Sequence, residues 1–263
     1  MPVIAGKPIS LLDPLQISRL GTNASVSSVA EAITQDGYLL LPEVFSVPEC
    51  NRLAAELESA LAGCADEATA LRRTNGALYG ARNLLDVFPE ARALWRREPL
   101  VSLFQQVLGR NFGLVRGLYF DKSPASNWSL PWHQDLAIAV QDNSLPTTSF
   151  RNPTRKAGVP HVEAPREILE QMLTVRIHLD DVSPDNGPLR VLAGSHRRDA
   201  PPEGDKEAAI LANAGDVLVM RPLLYHCSSS ASSQSQLHRR IIHLEFTGCQ
   251  DLPDGYSWRQ FFK

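Results

Sequence analysis

Residues 112–120 read FGLVRGLYF and open a series of short apolar segments that continues with MLTVRIHLD at 172–180, DVLVM at 216–220 and HRRIIHLEF at 238–246. Each has strand length and is bounded by Pro, Gly, Asn, Asp or Ser, the residues that favour turns. Many short strands with no long helix between them predict a β-sandwich or jelly-roll. The chain before residue 112 reads differently. Helical spacing over 26–35 stops at Gly37, and Tyr38, Leu39, Leu40 and Leu41 then form a short apolar strand. Ser46 with Glu49 three residues on is a capping box, and Leu53, Leu57 and Leu61 repeat at i, i+4, i+8, which predicts a helix over 47–61. Pro99 suits a first helical turn that runs through Leu103, Phe104, Val107 and Leu108 to a stop at Gly109. The expectation is one domain over residues 1–263. In it a mainly helical part (about 1–111) buttresses a β core (about 112–250).

Composition limits the function. The 263 residues are 43% apolar and 21% charged, ordinary for a globular enzyme, and the formal net charge of −3 gives no reason to expect nucleic acid or an anionic membrane as partner. A small-molecule substrate fits better. The opening MPVIAGKPISLLDPLQ lacks the basic start and unbroken apolar run of a secretory signal, and no segment approaches the ~20 apolar residues of a membrane span. Cys50, Cys64, Cys227 and Cys249 show no C-x-x-C pairing, so reduced thiols in the cytoplasm are expected. The sequence leaves the oligomeric state open.

The chemistry gathers around PWHQDL at 131–136. On an extended chain residues i and i+2 project to one side, so His133 and Asp135 can face a common ion. A second imidazole from a distant strand would complete a 2-His-1-carboxylate facial triad, which leaves three adjacent metal positions open. His226, in RPLLYHCSSS, is the best candidate over His161, His178, His196, His238 and His243. Thirteen residues later comes Arg239, able to bind a carboxylate through a paired, charge-assisted contact, with the Ser228 hydroxyl beside it. Strand parity favours Arg239, with Arg240 left as the alternative. Arg239, Ile241, His243 and Glu245 form a mixed face suited to a polar cleft, whereas Arg240, Ile242, Leu244 and Phe246 form the other. Arg116 and Lys122 on one strand, with Thr174 and Arg176 on another, are further candidates for lining the cleft, and a surface charge is the plainer reading of each.

Taken in order, DGYLLLPEVF (36–45), PWHQDL, HLDDVSPDNGPLRVLAGSH (178–196), GDVLVMRPLLYHCSSS (215–230) and HRRIIHLEF resemble the phytanoyl-CoA dioxygenase family of iron(II) and 2-oxoglutarate-dependent oxygenases. The resemblance implies a double-stranded β-helix, iron on His133, Asp135 and His226, and 2-oxoglutarate held by Arg239 and Ser228; by their strand positions Arg116 and Thr174 are further candidates for co-substrate contact. It also implies dioxygen as the oxidant and hydroxylation as the reaction, since members that halogenate lack the carboxylate ligand and Asp135 is present. No basic patch for the phosphates of coenzyme A is evident. Asn186-Gly187 is expected to supply a tight turn with positive dihedrals. Residues 141–165 read as a long polar loop, either a lid or a solvated excursion, and Trp132 and Leu136 as pocket wall. Two other readings stay open: a cupin-like zinc or manganese enzyme, which has no need of Ser228 and Arg239, and a binding protein without turnover.

Overall fold

The computed structural model describes residues 26–64, 66, 69–198 and 207–263; the opening segment read above for a leader lies outside them. The chain runs α1 (Val26–Gln35), β1 (Tyr38–Leu41), α2 (Val47–Ala62), β2 (Ala70–Arg72), β3 (Leu78–Ala81), α3 (Leu84–Val87), α4 (Leu100–Leu108) and β4 (Gly113–Lys122). It continues through β5 (Leu130–His133), β6 (Ala137–Ala139), β7 (Arg151–Lys156), β8 (Val159–Glu163), α5 (Arg166–Leu169), β9 (Met172–His178) and β10 (Leu189–Leu192). It ends with β11 (Glu207–Ile210), β12 (Val217–Met220), β13 (His226–Ser228) and β14 (Arg239–Thr247).

Helix α2 begins where its cap dictates: the Glu49 amide donates to Ser46 Oγ at 3.4 Å and the Ser46 amide donates back to Glu49 Oε2 at 2.8 Å. Helix α4 ends at Gly109, whose φ of 85° suits a residue without a Cβ. The strands form a seven-stranded sheet in the order β1-β12-β9-β14-β4-β3-β2, a four-stranded sheet β11-β10-β13-β5, and a small sheet β6-β8-β7. The two larger antiparallel sheets face each other as the expected double-stranded β-helix.

Alternation then decides what each face of the seven-stranded sheet meets. One face carries Leu39, Val219, Val175, Ile177, Ile242, Leu244 and Phe246, and it is covered by Leu53, Leu57 and Leu61 of α2 and Leu103 and Phe104 of α4. Phe104 stacks on Phe246 with ring centroids 4.4 Å apart, and Trp95 and Phe112 pack edge-on against the pair. The other face is apolar at one end, where Tyr38, Leu40, Leu218 and Met220 meet Leu189, Val191 and Ile210 of the smaller sheet. Across β9, β14 and β4 that same face turns polar, in register: Arg176, His243 and Leu118 lie side by side, as do Thr174, Glu245 and Arg116. Arg239 pairs with Lys122.

Besides its helices, the part before residue 112 supplies strands to the main sheet: β1 forms one edge, and β3 and β2 the other. Two expectations need correction. Residues 141–165 contain the β7–β8 hairpin, turned at Ala157 and Gly158 with φ of 49° and 73°. The strand was hidden because RNPTRK has no apolar alternation. At Asn186-Gly187 only Gly187 has a positive φ; a Cβ there would lie 2.4 Å from the Ser229 carbonyl oxygen. Asn186 instead works through its side chain, donating to the Asp181 carbonyl at 2.8 Å and accepting from the Ser183 amide at 3.0 Å.

Because Phe104 is fully buried in the aromatic cluster that fastens α4 to the sheet, Phe104→Ala is expected to lower unfolding free energy by ~3–5 kcal/mol. Urea denaturation followed by tryptophan fluorescence measures this, and a loss below ~1 kcal/mol would contradict the packing role.

Candidate metal centre

Strands β5 and β13 are neighbours, and their register places His226 opposite His133 with ring centroids 4.2 Å apart. His226 opens β13. Asp135 lies just past β5, where its amide donates to the Pro222 carbonyl at 2.9 Å, while the intervening Gln134 donates to the Leu223 carbonyl at 2.6 Å. The two ligand-bearing segments are thereby stitched together. One donor atom from each of His133, Asp135 and His226 falls within a 4.8 Å cluster. Asp135 Oδ1 is 3.9 Å from His133 Nε2, and Oδ2 is 3.6 Å from His226 Nε2.

The imidazoles are set for coordination. His133 Nδ1 lies 2.7 Å from the Pro131 carbonyl and His226 Nδ1 lies 2.9 Å from the Leu224 carbonyl. A proton on each Nδ1 leaves the Nε2 lone pairs facing Asp135, an arrangement common where the far ring nitrogen of a ligand His is fixed by a carbonyl. Burial lowers the His226 pKa to about 4, so the ring is neutral at ordinary pH. Burial opposes ionisation of Asp135, but the facing groups His226, His243, His133 and Arg176 outweigh it and hold its pKa below the usual carboxylate value.

The other histidines are engaged elsewhere. Nδ1 of His161 sits on the Val159 carbonyl, Nδ1 of His178 on the Asp216 carbonyl, Nε2 of His196 on the Thr34 carbonyl, and Nδ1 of His238 on Asp121. His243 lines the site but faces Glu245, 3.4 Å away.

A cavity of about 330 Å³ adjoins the triad, lined among others by Leu118, Phe120, Leu136, Arg176, Ser228 and Arg239. Arg239 is 4% exposed, yet among the described residues it has no acid within ion-pair distance, and its Nε has no hydrogen-bond partner. Arg176 is in the same position, its Nε likewise orphaned. Burial, then repulsion from Arg176, brings the Arg239 pKa down to about 9. Lys122, 1% exposed, is pushed down to about 7 by burial and by Arg239 and Arg176; its ammonium donates to the Ser229 carbonyl at 2.5 Å and lies 3.5 Å from Ser228 Oγ. Arg240 does the opposite of its neighbour, turning away to bind Asp180 at 2.7 Å and Glu58 at 2.8 Å.

Of the remaining sequence candidates, Arg116 lines the cavity but is already paired with Glu245 at 3.1 Å. Thr174 shares its face with Arg176 yet lies deeper in the sheet, fully buried and outside the cavity lining. Leu136 is pocket wall as expected; Trp132 instead points outward, 37% exposed, under the Arg190 guanidinium. Lys156 and Glu163 also line the cavity and carried no signal in the sequence, because the hairpin that holds them was not legible.

Residues 33–241 match the family model for phytanoyl-CoA dioxygenase (PhyH), most of the chain. The chain belongs to this family. As a member it is an iron- and 2-oxoglutarate-dependent dioxygenase. It is 24% identical to the iron/alpha-ketoglutarate-dependent dioxygenase ausU of Aspergillus calidoustus over 92% of this chain and 77% of that protein. It is 26% identical to L-proline trans-4-hydroxylase of Streptomyces griseoviridis over 61% of this chain and 52% of that protein. The fold is shared with EctD from S. alaskensis, solved with 2-oxoglutarate and 5-hydroxyectoine (TM-score 0.62, 19% identity, 90% of this chain and 81% of that one).

The residues present fit both groups. Two imidazoles and one carboxylate, clustered beside an open cavity, are the donor set of a non-haem iron site with free positions. Buried guanidinium nitrogens without partners are what a dianionic keto acid would satisfy.

Lys122 generates a pH signature. Its folded pKa of about 7 lies below the ordinary 10.5, so between these values the unfolded chain holds the proton more tightly and stability rises with pH. The ligand-free protein is expected to gain stability from pH 7 to 9 with a slope that Lys122→Met removes. Urea midpoints at three pH values check this; equal slopes in the two proteins would refute it.

Proposed function

We propose that His133, Asp135 and His226 hold the iron, that Arg239 and Ser228 bind the distal carboxylate of 2-oxoglutarate, and that the enzyme hydroxylates a carbon of a small-molecule substrate. The observation that carries the reading is Arg239, a buried cation beside the triad with no acid of the protein to neutralise it. An arrangement of this kind is unfavourable by itself and makes sense where a ligand anion completes it. Lys122, cross-strand from Arg239 and within 3.5 Å of Ser228 Oγ, adds a second positive charge to that end.

Bound iron, with 2-oxoglutarate and dioxygen, supplies the oxidation: one oxygen atom goes to the substrate carbon, the other to succinate, and carbon dioxide is released. The chain's own residues bind, orient and shield. The backbone carbonyls of Pro131 and Leu224 fix the two ring orientations, and the Pro222 carbonyl fixes the Asp135 turn. Leu118, Phe120, Leu136 and Leu189 contribute an apolar part of the wall, which limits water near the reacting carbon. The Arg116–Glu245 ion pair leaves Arg116 with its own counter-charge, so the role foreseen for it in co-substrate binding passes to Arg239 and Ser228.

Substrate size follows from volume. Pockets for drug-sized ligands run to roughly 300–1,000 Å³, and here about 330 Å³ serves the co-substrate and the reacting part of the substrate together. A small molecule suits that space, in keeping with relatives named for action on proline or solved with 5-hydroxyectoine. A cytoplasmic setting is consistent with four free cysteines and with the lack, among the described residues, of any helix long and apolar enough to cross a membrane. The cupin-like zinc or manganese alternative leaves the buried Arg239 without a purpose.

Two adjacent arginines provide the test. Arg239→Met is expected to weaken 2-oxoglutarate binding to the Mn(II)-loaded protein by ~10–100-fold, as loss of a charged hydrogen-bond partner should. Arg240→Met, which breaks the Asp180 and Glu58 pairs, is expected to leave that affinity within about twofold while lowering stability by ~1–3 kcal/mol. Calorimetric titration and urea unfolding read the two effects; equal affinity losses in both variants would overturn the assignment. Asp135→Ala and His226→Ala are each expected to abolish stoichiometric iron binding by metal analysis, and full retention of iron in either would remove that residue from the ligand set.

A further inference from the structure

The β7–β8 hairpin delivers a cation to the cavity at the end away from Arg239. Lys156 closes β7, opposite Val159 in the register, and lines the same space as Asp135, Arg116 and Glu245. Its position is fixed rather than loose. Asn83 Nδ2 donates to the Ala157 carbonyl at the hairpin turn at 3.1 Å, and Asn143 Nδ2 donates to the carbonyls of Thr154 at 2.8 Å and His161 at 3.1 Å. These bonds clamp both strands of the hairpin beside the mouth of the site.

The charge around Lys156 does not balance. Among the described residues its ammonium has neither an ion pair nor a hydrogen bond, although the side chain is partly buried. Arg116 stands nearby with Glu245 already committed to it at 3.1 Å. Arg82 adds a further positive charge; burial and then repulsion from Arg116 and Arg82 lower the Lys156 pKa. Of the two acids that oppose them, Glu245 is shared with Arg116 and Asp135 belongs to the metal in the reading given above. Glu163, the remaining acid of the lining, sits four residues along β8 from Val159, about 13 Å of strand, and its Oε2 accepts from Asn152 at 2.7 Å. Lys156 is therefore left without an acid at ion-pair distance on the cavity lining.

We propose that Lys156, backed by Arg116, is a specificity residue that binds a carboxylate on the substrate, so that the enzyme acts on small carboxylic acids and presents a carbon beyond that group to the metal. One free ammonium beside an already paired guanidinium matches a monoanion. The inference rests on the iron and 2-oxoglutarate assignment, because only that assignment makes Asp135 unavailable to Lys156 and gives the inner cations a different anion.

The experiment titrates Mn(II)- and 2-oxoglutarate-loaded protein with a panel of small aliphatic, cyclic and amino-carboxylic acids, each beside its primary amide. The amide keeps the shape and removes the charge. At least one acid is expected to bind, with its amide at least ~10-fold weaker. Lys156→Met should bring the acid down to the amide's affinity with 2-oxoglutarate binding unchanged, and Lys156→Arg should keep the preference. The proposal fails if no acid binds, if amides match acids, or if Lys156→Met preserves the difference. Should 2-oxoglutarate itself not bind the wild-type protein, the co-substrate assignment falls and this inference with it; if it binds and the acids do not, this inference alone is lost.

Discussion

The constraint on which the rest of the molecule depends is a change of character along one face of the seven-stranded sheet. At β1 and β12 that face is apolar and closes against the smaller sheet, and at β9, β14 and β4 it presents Arg176, Arg239, His243 and Glu245. Two sheets that were apolar throughout would collapse onto each other and leave no site. Charges that were fully paired would fill the space with salt bridges. Cations buried without acids do neither: they hold the sheets apart and keep the cavity in want of an anion, at a cost in stability. The offset comes from the opposite face, where α2 and α4 bury a continuous apolar layer against the same strands. Site and core are thus two sides of one sheet, and strand alternation assigns each residue to its side.

That alternation is why so much was legible in advance. The parity of HRRIIHLEF favoured Arg239 over Arg240 as the inward side chain, and the spacing of PWHQDL was enough to pair an imidazole with a carboxylate. Capping chemistry is equally local, so Ser46 and Glu49 announced α2. What parity does not encode is depth along a strand. Thr174 and Arg176 share a face, but the longer side chain reaches the cavity and the shorter one is buried below it. Nor does a sequence tell which charge finds a partner. Arg116 and Arg239 look alike as strand arginines, and only the register that sets Glu245 opposite Arg116 separates them.

The hairpin was illegible for a different reason. Its strands pack in a small sheet of their own with β6, so β7 needs no alternating apolar pattern: every residue from Arg151 to Arg155 is exposed. Besides the burial of Val162 on β8, what holds it in place is the side-chain amides of Asn83 and Asn143 binding its carbonyls, contacts between positions up to 74 residues apart. A carbonyl acceptor leaves no trace in the identity of its residue. Residues such as Lys156 are consequently free of the packing code that makes the metal site readable.

The same separation bears on how one fold serves many substrates. Altering Arg239 or His226 disturbs a buried face in register with the core, whereas Lys156 and Glu163 sit on a three-stranded sheet that packs Ile138 and Val162 into a separate apolar cluster and leaves most of β7 exposed. The metal and co-substrate end is tied to the stability of the sheet, and the mouth is not. A positive charge placed at the mouth by the hairpin therefore reflects what the cavity admits, since no packing requirement of the barrel calls for a lysine there, and burial without a counter-charge would otherwise disfavour one.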